Sequence, residues 1–252
     1  MKVLSIVNQK GGVGKTTTSI NLSACLHKMN RRVLLVDLDP QSNATRGSGV
    51  DSSALSHNVN DVLLDRVKLK DTITQSQSDG YDLLPSSPAL TESEVSLVAR
   101  DKREFTLKTK LADILNDYDY ILMDCPPSLN ILTVNSLVSA TGVLIPVQCE
   151  FYALQGLSEL INTVSKIQST SNEKLKIEGI LRTMFDSRNN LSNDVSDQLK
   201  EYFPDELYKT KIPRNIRVAE APSYGKSILQ YDGLSKGSLS YYSLAGEIIK
   251  DE

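Results

Sequence analysis

The chain has few of the residues that support disulfide, metal or histidine chemistry. Its three cysteines among 252 residues, Cys25, Cys125 and Cys149, are far apart and show no CxxC spacing. Such an odd, scattered set argues against a disulfide framework and favours a reducing compartment. The two histidines fall on a predicted helix (His27) and in a predicted loop (His57), so we assign neither a catalytic role.

Long apolar runs and an excess charge of either sign are also absent. No stretch approaches the roughly 18 apolar residues of a membrane span, and the sequence opens directly on a strand pattern. We therefore expect no signal peptide, no membrane partner and a cytoplasmic location. The net charge of −3 excludes an overall basic surface for nucleic acid but not a local patch. Without a linker or internal repeats, residues 1–252 are predicted to form one domain.

What the chain does have is an alternation of apolar strand patterns and helical patterns. Strands are predicted at 3–7, 32–37, 119–124 and 142–147, and more weakly at 81–84 and 176–182. Helices are predicted at 15–29, 91–98, 106–117, 129–140, 153–170, 190–201 and 238–250. Apolar strands separated by helices predict a doubly wound α/β fold whose mostly parallel sheet carries helices on both faces. Folds of this kind bind ligands at the carboxyl ends of their strands.

A glycine-rich turn follows the first of these strands. Residues 8–17 read NQKGGVGKTT and lead into the first helical pattern. Backbone N–H groups of such a turn and the positive end of the helix converge on one small volume, which suits phosphate groups. Lys15 is placed to reach the outer phosphates and Thr16 to hold Mg²⁺. The segment therefore predicts a P-loop nucleotide site formed by Gly11, Gly12, Val13, Gly14, Lys15, Thr16 and Thr17.

Carboxylates follow two further strands. Asp37 and Asp39 come after the second strand pattern, and Asp124 ends the third clear one. One of the first pair can position or deprotonate an attacking water while the other orients the water shell of a metal; the alternative is a simple Asx turn at Asp39-Pro40. Asp124 fits a carboxylate that holds Mg²⁺ through water, although it can also cap the next turn. Because these carboxylates accompany a glycine loop, we favour the functional interpretation for the Asp37/Asp39 pair and for Asp124.

The glycine loop departs from the usual pattern at its start. Gln9 stands where the first glycine is expected, and Lys10 follows it. A lysine here points away from the phosphates of its own loop. It is either a solvated charge or a contact delivered to the nucleotide of a second molecule, in the manner of an arginine finger.

Together these segments resemble the ParA/Soj branch of the deviant Walker A (ParA/MinD) partitioning ATPases. The resemblance rests on residues 10–17, 37–41, 124–128, 145–150, 153–157 and 212–226, and it extends from residue 2 to about 246. It implies a P-loop ATPase that uses ATP and Mg²⁺, forms an ATP-dependent homodimer and associates with the nucleoid. The dimer would bind double-stranded DNA without sequence preference. A ParB/Spo0J-type centromere-binding protein would stimulate an otherwise slow hydrolysis and release the dimer from DNA.

The resemblance also implies roles for individual residues. Lys10 would be the cross-dimer lysine that reaches the partner's ATP, Lys15 a catalytic lysine, and Asp39 the hydrolytic aspartate. The metal would be held by Thr16, Asp39 and Asp124, the adenine would lie against Met184 and Pro213, and DNA would be contacted by Arg188 and Arg217. From the charges alone, the late basic residues could form one stripe, which besides these two arginines contains Arg182, Lys209, Lys211, Arg214, Lys226 and Lys236. Of this stripe, we also predict Arg214 and Lys226 as DNA contacts.

Three other classes of nucleotide-binding protein fit the sequence less well. A MinD-like membrane ATPase needs a basic amphipathic C-terminal helix, whereas residues 246–252 are acidic. A nitrogenase-type reductase needs paired cysteines for a shared iron–sulfur cluster, which the cysteine spacing does not provide. A scaffold that binds nucleotide without turnover has no need of an intact Lys15, Asp39 and Asp124.

Overall fold

A computed structural model describes residues 1–250 and arranges them around an eight-stranded sheet. The strands are β1 (Lys2–Ile6), β2 (Val33–Asp37), β3 (Thr74–Gln75), β4 (Asp82–Leu84), β5 (Tyr120–Asp124), β6 (Gly142–Gln148), β7 (Lys176–Phe185) and β8 (Leu207–Pro213). Their order in the sheet is β3-β4-β2-β5-β1-β6-β7-β8, and neighbouring strands are parallel except for the antiparallel pair β3/β4.

Helices cover both faces of this sheet. They are α1 (Lys15–Lys28), α2 (Asn43–Gly47), α3 (Val59–Leu63), α4 (Leu90–Val98), α5 (Thr106–Leu111), α6 (Ile131–Ser139), α7 (Ala153–Thr170), α8 (Asn190–Tyr202), α9 (Ile216–Glu220), α10 (Ile228–Tyr231) and α11 (Lys236–Lys250). A 3₁₀ segment, Ala112–Asp117, prolongs α5, and another, Ala221–Tyr224, follows α9.

Side chains of the central strands alternate between two hydrophobic cores. On β1, Val3 joins the core that packs beneath α3 to α8, whereas Leu4 joins the core that packs beneath α1, α10 and α11. Both side chains are fully buried. A strand that is covered on both faces reads as a continuous apolar run, which is why the central strands were recognisable from the sequence.

The predicted fold class is confirmed, and the differences lie mainly at the edges. The strands β3 and β8 were not predicted, and neither were the short helices α2, α3, α9 and α10. The predicted helix at 106–117 is correct only in its first half, because Ala112–Asp117 tightens into a 3₁₀ helix. Short elements carry too few residues to show a period, so these omissions are expected.

The strand register places the candidate site at the carboxyl edge of the sheet. Asp37 on β2 pairs in register with Asp124 on β5, and Asp124 also pairs with Ile6 on β1. Three loops therefore leave the sheet side by side at this edge, as expected for the binding edge of a parallel α/β sheet.

Candidate nucleotide site

The glycine loop connects β1 to α1 with a left-handed backbone at two positions. Gly12 has φ +75° and Gly14, the N-cap of α1, has φ +89°. Residues with a Cβ rarely adopt these angles, so the loop requires glycine there. Nothing lies within 4 Å of where a Cβ would stand on Gly11 or Gly12, so the loop leaves open space on that side.

Neighbouring strands hold the loop in place. The Thr183 hydroxyl, from the end of β7, donates to the carbonyl oxygen of Val13 at 2.7 Å. The Asn8 side chain donates to the carbonyl oxygen of Pro146 on β6 at 2.8 Å and accepts from the backbone N–H of Lys10 at 3.0 Å. The cradle is therefore pre-formed by contacts within the protein.

Lys15 lies inside this cradle. Only 7% of the residue is exposed, and its Nζ donates to the carbonyl oxygen of Lys10 at 3.2 Å. Burial lowers the pKa of Lys15, while the nearby Asp124 carboxylate acts in the opposite direction. An ammonium group that is held beside a cluster of backbone donors is suited to neutralising phosphate oxygens.

Asp124 is bound to the first turns of α1. Its Oδ2 accepts from the Thr16 hydroxyl and its Oδ1 from the Ser19 hydroxyl, both at 2.8 Å. The carboxylate is fully buried, and burial raises its pKa, as does the negative charge of Asp37 on the neighbouring strand. The predicted pair of Thr16 and Asp124 is therefore brought into direct contact.

The two carboxylates after β2 have different environments. Asp37 is buried, and its oxygens accept from the backbone N–H of Asp39 at 3.1 Å and from the N–H and hydroxyl of Thr45 at 2.8 and 2.7 Å. In Asp39, Oδ1 accepts from the N–H of Gln41 at 2.9 Å, which is the Asx turn considered above. Within residues 1–250, Oδ2 of Asp39 has no protein hydrogen-bond partner, so this oxygen is the one available to a ligand or water.

Lys10 points away from the cradle. Its Nζ forms an ion pair with the carboxylate of Glu150, just after β6, and about half of each side chain is exposed. Lys10 and Lys15 are close in sequence, yet one is presented on the surface and the other is enclosed. An exposed pair of this kind contributes little to stability, so Lys10 can exchange Glu150 for another anion at little cost.

A cleft of about 600 Å³ opens from the glycine loop across the ends of β7 and β8. It is lined by Lys15, Thr16 and Asp39 at one end and by Met184, Pro213 and Arg214 at the other. Met184, the last residue but one of β7, lines the cleft with a left-handed backbone of φ +48°. Most of the predicted nucleotide residues therefore line one continuous cavity; Val13, which is buried, and Lys10 do not.

The predicted DNA-contact residues are less uniform. Arg188 and Arg217 follow the ends of the adjacent strands β7 and β8 and are largely exposed, with ion pairs to Asp186 and Glu220. Lys226 is exposed in the loop after the 3₁₀ segment Ala221–Tyr224. Arg214 lines the nucleotide cleft, so it lies between the nucleotide site and the predicted DNA-contact residues.

Two residues of the wider basic stripe use their charge in contacts within the protein. Arg182 is buried, and its guanidinium donates to the Ser196 hydroxyl at 3.0 Å and to the carbonyl oxygen of Tyr208 at 2.5 Å. The Lys211 ammonium lies 4.1 Å from the ring centroid of Phe185. The charge pattern alone could not separate these internal contacts from free surface charges.

The described residues give little support to a MinD-like membrane ATPase or a nitrogenase-type reductase. The apolar face of α11 is used in the core, where Tyr241, Leu244 and Ile248 are buried. No helix within residues 1–250 is long and apolar enough to cross a membrane. Cys25, Cys125 and Cys149 are free and buried, and burial raises the pKa of each thiol. Thiols that are held protonated and enclosed in this way are poor candidates for a cluster shared between subunits.

The chain is similar to known proteins along its whole length. The family model described as an AAA domain matches residues 1–177. The sporulation initiation inhibitor protein Soj of Bacillus subtilis is 49% identical over 98% of this chain and 98% of its own length. The chromosome partitioning protein ParA of Myxococcus xanthus is 45% identical over 99% of this chain and 88% of its own.

The chain belongs to the ParA/Soj family of partitioning ATPases. A solved structure of cobyrinic acid a,c-diamide synthase from Mycobacterium smegmatis, with bound ATP analogue and magnesium, has the same fold. Its TM-score is 0.87 and its identity 36%, with 99% of this chain and 95% of that chain covered. That protein is named for a different activity, and its identity lies below those to Soj and ParA. The predicted ParA/Soj family is confirmed.

Several residues of this ParA/Soj site were missed by sequence reasoning. Ser19 follows Thr16 by three residues on α1, so a helical wheel would have placed both hydroxyls on the face toward Asp124. Glu150 stands within the matched segment 145–150, but nothing in the sequence paired it with Lys10. Thr183 and Asn8 had no sequence signal, because their roles depend on which strands are neighbours.

Proposed function

We propose that this protein is a partitioning ATPase, with residues 1–252 as one ATPase domain, whose ATP-bound homodimer holds DNA on the nucleoid. A ParB-type partner stimulates hydrolysis and releases the dimer. The observation that carries the proposal is the contrast between Lys10, presented on the surface, and Lys15, enclosed in the cradle. A site with one inward and one outward lysine is suited to a nucleotide that lies between two subunits.

The residues present fit ATP as the substrate. The open side of Gly11 and Gly12 leaves backbone N–H groups available to phosphate oxygens, and Lys15 adds a positive charge at the same place. The cleft extends from there to Met184 and Pro213, which offer an apolar surface to the adenine. Its volume of about 600 Å³ is within the range of small-molecule sites.

The residues present also fit Mg²⁺. Within residues 1–250, no group of three or more His, Cys, Asp and Glu side chains could hold a metal ion alone. Mg²⁺ is commonly bound through one or two carboxylates together with substrate phosphates and waters. Asp124 and Asp39 can supply the carboxylates, and Thr16, whose hydroxyl contacts Asp124, can add an oxygen. When bound, the ion neutralises charge on the phosphate oxygens.

Asp39 is the residue that we assign to the attacking water. Its Oδ1 is held by the N–H of Gln41, which fixes the carboxylate, while Oδ2 is free to accept a hydrogen bond within the described chain. Asp37 is unsuited to this role because Thr45 and the Asp39 backbone N–H engage its oxygens. Asp39 therefore orients the water and accepts its proton, and Asp37 sets the geometry of the loop.

Lys10 supplies a positive charge to the ATP of the second subunit. Its partner within the chain, Glu150, is half-exposed, so the ion pair can be replaced by phosphate oxygens when two subunits meet. Hydrolysis is then slow in the monomer, since the charge that completes each site comes from the other chain.

DNA binding is assigned to the surface around the ends of β7 and β8. Arg188 and Arg217 are the main contacts, Lys226 adds to them, and Arg214 extends the surface toward the nucleotide cleft. These residues contact phosphates rather than bases in our proposal, so binding is independent of sequence and sensitive to salt. Dimerisation doubles the number of contacts.

Size-exclusion chromatography with light scattering tests the proposal in one experiment. The protein is run with ADP, with ATP and Mg²⁺, and with ATP, Mg²⁺ and a duplex of random sequence. We expect a monomer with ADP, a dimer with ATP, and a dimer bound to DNA in the third sample. A protein that is monomeric in all three samples would refute the shared site.

A further inference from the structure

The carboxylate of Glu94 on α4 is bonded to the loop that follows β5. Its Oε1 accepts a hydrogen bond from Nδ2 of Asn130, which stands 36 positions later in the sequence. Asn130 is at the same time the N-cap of α6, and its Oδ1 accepts from the N–H groups of Leu132 at 3.0 Å and Thr133 at 3.1 Å. One amide side chain therefore joins α4 to the start of α6.

Asn130 is the last residue of a short loop that begins at the nucleotide site. Residues 125–130 run from Asp124 to α6, and Pro127 in this loop lines the cleft together with Asp39. The Thr133 hydroxyl donates to the carbonyl oxygen of Ser128 at 2.6 Å, which ties the middle of the loop to the first turn of α6. The position of Asn130 therefore helps to set the position of the loop beside Asp39.

Glu94 also lies within the electric field of the site. Burial raises its pKa, and the negative charge of Asp39 raises it further. Within residues 1–250, no lysine, arginine or histidine forms an ion pair with Glu94. The next carboxylate on the same helix, Glu92, is instead paired with Arg66 and bonded to Asn60, away from the loop. Within the described chain, the bond from Asn130 is therefore the contact that holds the Glu94 carboxylate in place.

We propose that Glu94 is a positioning residue for hydrolysis: it fixes the amide of Asn130 and so holds residues 125–130 against the cleft. This inference rests on the proposed ATPase activity. Glu94 does not line the cleft, so its effect should appear in the rate of turnover rather than in the binding of nucleotide.

Three variants test the role of Glu94. Glu94→Ala removes the acceptor, Glu94→Gln keeps an amide oxygen that can accept from Asn130, and Glu92→Ala is the matched control on the same helix. With DNA and Mg²⁺ present, we expect kcat to fall about tenfold in Glu94→Ala, the effect of one hydrogen bond to a charged group. KM and the affinity for a non-hydrolysable ATP analogue should stay within about twofold, and Glu94→Gln should recover most of the rate.

Hydrogen exchange of the nucleotide-free protein supplies a readout that does not need activity. Glu94→Ala should speed exchange in residues 125–133, where the N–H groups of Leu132 and Thr133 depend on Asn130, and Glu92→Ala should not. Unchanged exchange there, equal loss of turnover in Glu94→Gln, or a loss of nucleotide affinity as large as the loss of rate would each overturn the proposal. If the wild-type protein itself hydrolyses no ATP, the proposed function fails, while the exchange measurement still decides whether Glu94 positions the loop.

Discussion

Lys10 forms its ion pair with Glu150, just after β6, whereas the Nζ of Lys15 lies 3.2 Å from the carbonyl oxygen of Lys10. The same segment therefore encloses Lys15 in the nucleotide cradle and presents Lys10 on the protein surface. Because the Lys10 ammonium points away from the cradle, it is poorly placed to contact the nucleotide of its own subunit. The first prediction rests on this difference.

Lys10→Ala should bind ATP with nearly normal affinity but remain monomeric. The cradle around Lys15 is intact in this variant, while the charge that meets the partner's phosphates is gone. Light scattering with ATP and Mg²⁺ measures the outcome, and Lys166→Ala, a variant of an exposed lysine on α7, is the control that should dimerise normally. A Lys10→Ala protein that dimerises with ATP as the wild type does would exclude the cross-dimer role.

Asp39→Ala should keep ATP binding and dimerisation and lose turnover by at least ~10²-fold, as is typical when a general base is removed. Only the free Oδ2 of Asp39 is available to position the water, and Asp37 cannot replace it because its oxygens are already occupied. Steady-state phosphate release and a fluorescent ATP analogue separate the two effects. Lys15→Ala serves as the contrast, because it should fail earlier, at nucleotide binding. Normal hydrolysis by Asp39→Ala would exclude Asp39 as the residue that positions the water.

Packing at the sheet's edge leads to a stability prediction. A Cβ on Gly179 would stand 2.2 Å from the ring of Tyr208, which is buried on β8. Gly179→Ala should therefore lower the free energy of unfolding by about 1–3 kcal/mol, the usual cost of overpacking. Gly156→Ala on α7 is the matched control, since no atom lies within 4 Å of its new Cβ, and it should be neutral or stabilising. Urea unfolding of both variants measures the difference, and equal stability would mean that β7 and β8 pack more loosely than described.

The strand at this edge, β8, could not be predicted from the sequence. The central strands were predictable because each is an unbroken apolar run. In β8, Lys209 and Lys211 stand between the buried residues Tyr208 and Ile212, so the segment reads as charged surface. It is a strand because it pairs in parallel with β7. Glu247 on α11 also accepts from its N–H groups at Lys209, at 2.6 Å, and Thr210, at 3.1 Å, and neither partner is visible in the local sequence.

The candidate site was predictable to a similar extent. Residues of the glycine loop and the carboxylates at strand ends follow from local motifs, and the structure brings Lys15, Thr16, Asp39 and Asp124 together. Glu150 and Glu94 were not assigned, because their contacts with Lys10 and Asn130 join segments far apart in the chain. Arg182 was misplaced on the surface for the same reason, since its partners on α8 and β8 are visible only in the fold.

Arg217→Glu should abolish DNA binding by the ATP-bound dimer without preventing dimerisation. In the wild type, Arg217 can leave its exposed partner Glu220 for a phosphate at little cost. Fluorescence anisotropy with duplexes of unrelated sequence should give similar affinities that weaken steeply as salt rises. The control with an equal change of charge is Lys174→Glu, because Lys174 lies in the turn before β7, at the amino end of that strand and away from the proposed DNA surface. Normal binding by Arg217→Glu, or binding of the wild type that ignores salt, would place the DNA surface elsewhere.

A basic peptide from a ParB-type partner should accelerate hydrolysis and detach the dimer from DNA. In the proposed dimer, the two subunits supply Lys10, Lys15 and Asp39 to position ATP and water, and a further cation would add to the charge at the transition state. The peptide's lysine or arginine can fill that place directly. Alternatively, it can shift residues 125–130, which depend on the bond between Glu94 and Asn130.

The measurement is steady-state ATPase activity with DNA, with and without the peptide, together with a peptide whose lysine or arginine is replaced by alanine. We expect stimulation only by the cationic form, and anisotropy should show DNA release at the same peptide concentrations. Glu94→Ala separates the two routes: direct insertion leaves the fold-stimulation unchanged, whereas action through the loop reduces it, because the loop is already released. If the neutral peptide works equally well, or if no stimulation occurs with DNA present, the partner does not act by charge and a different regulator has to be sought.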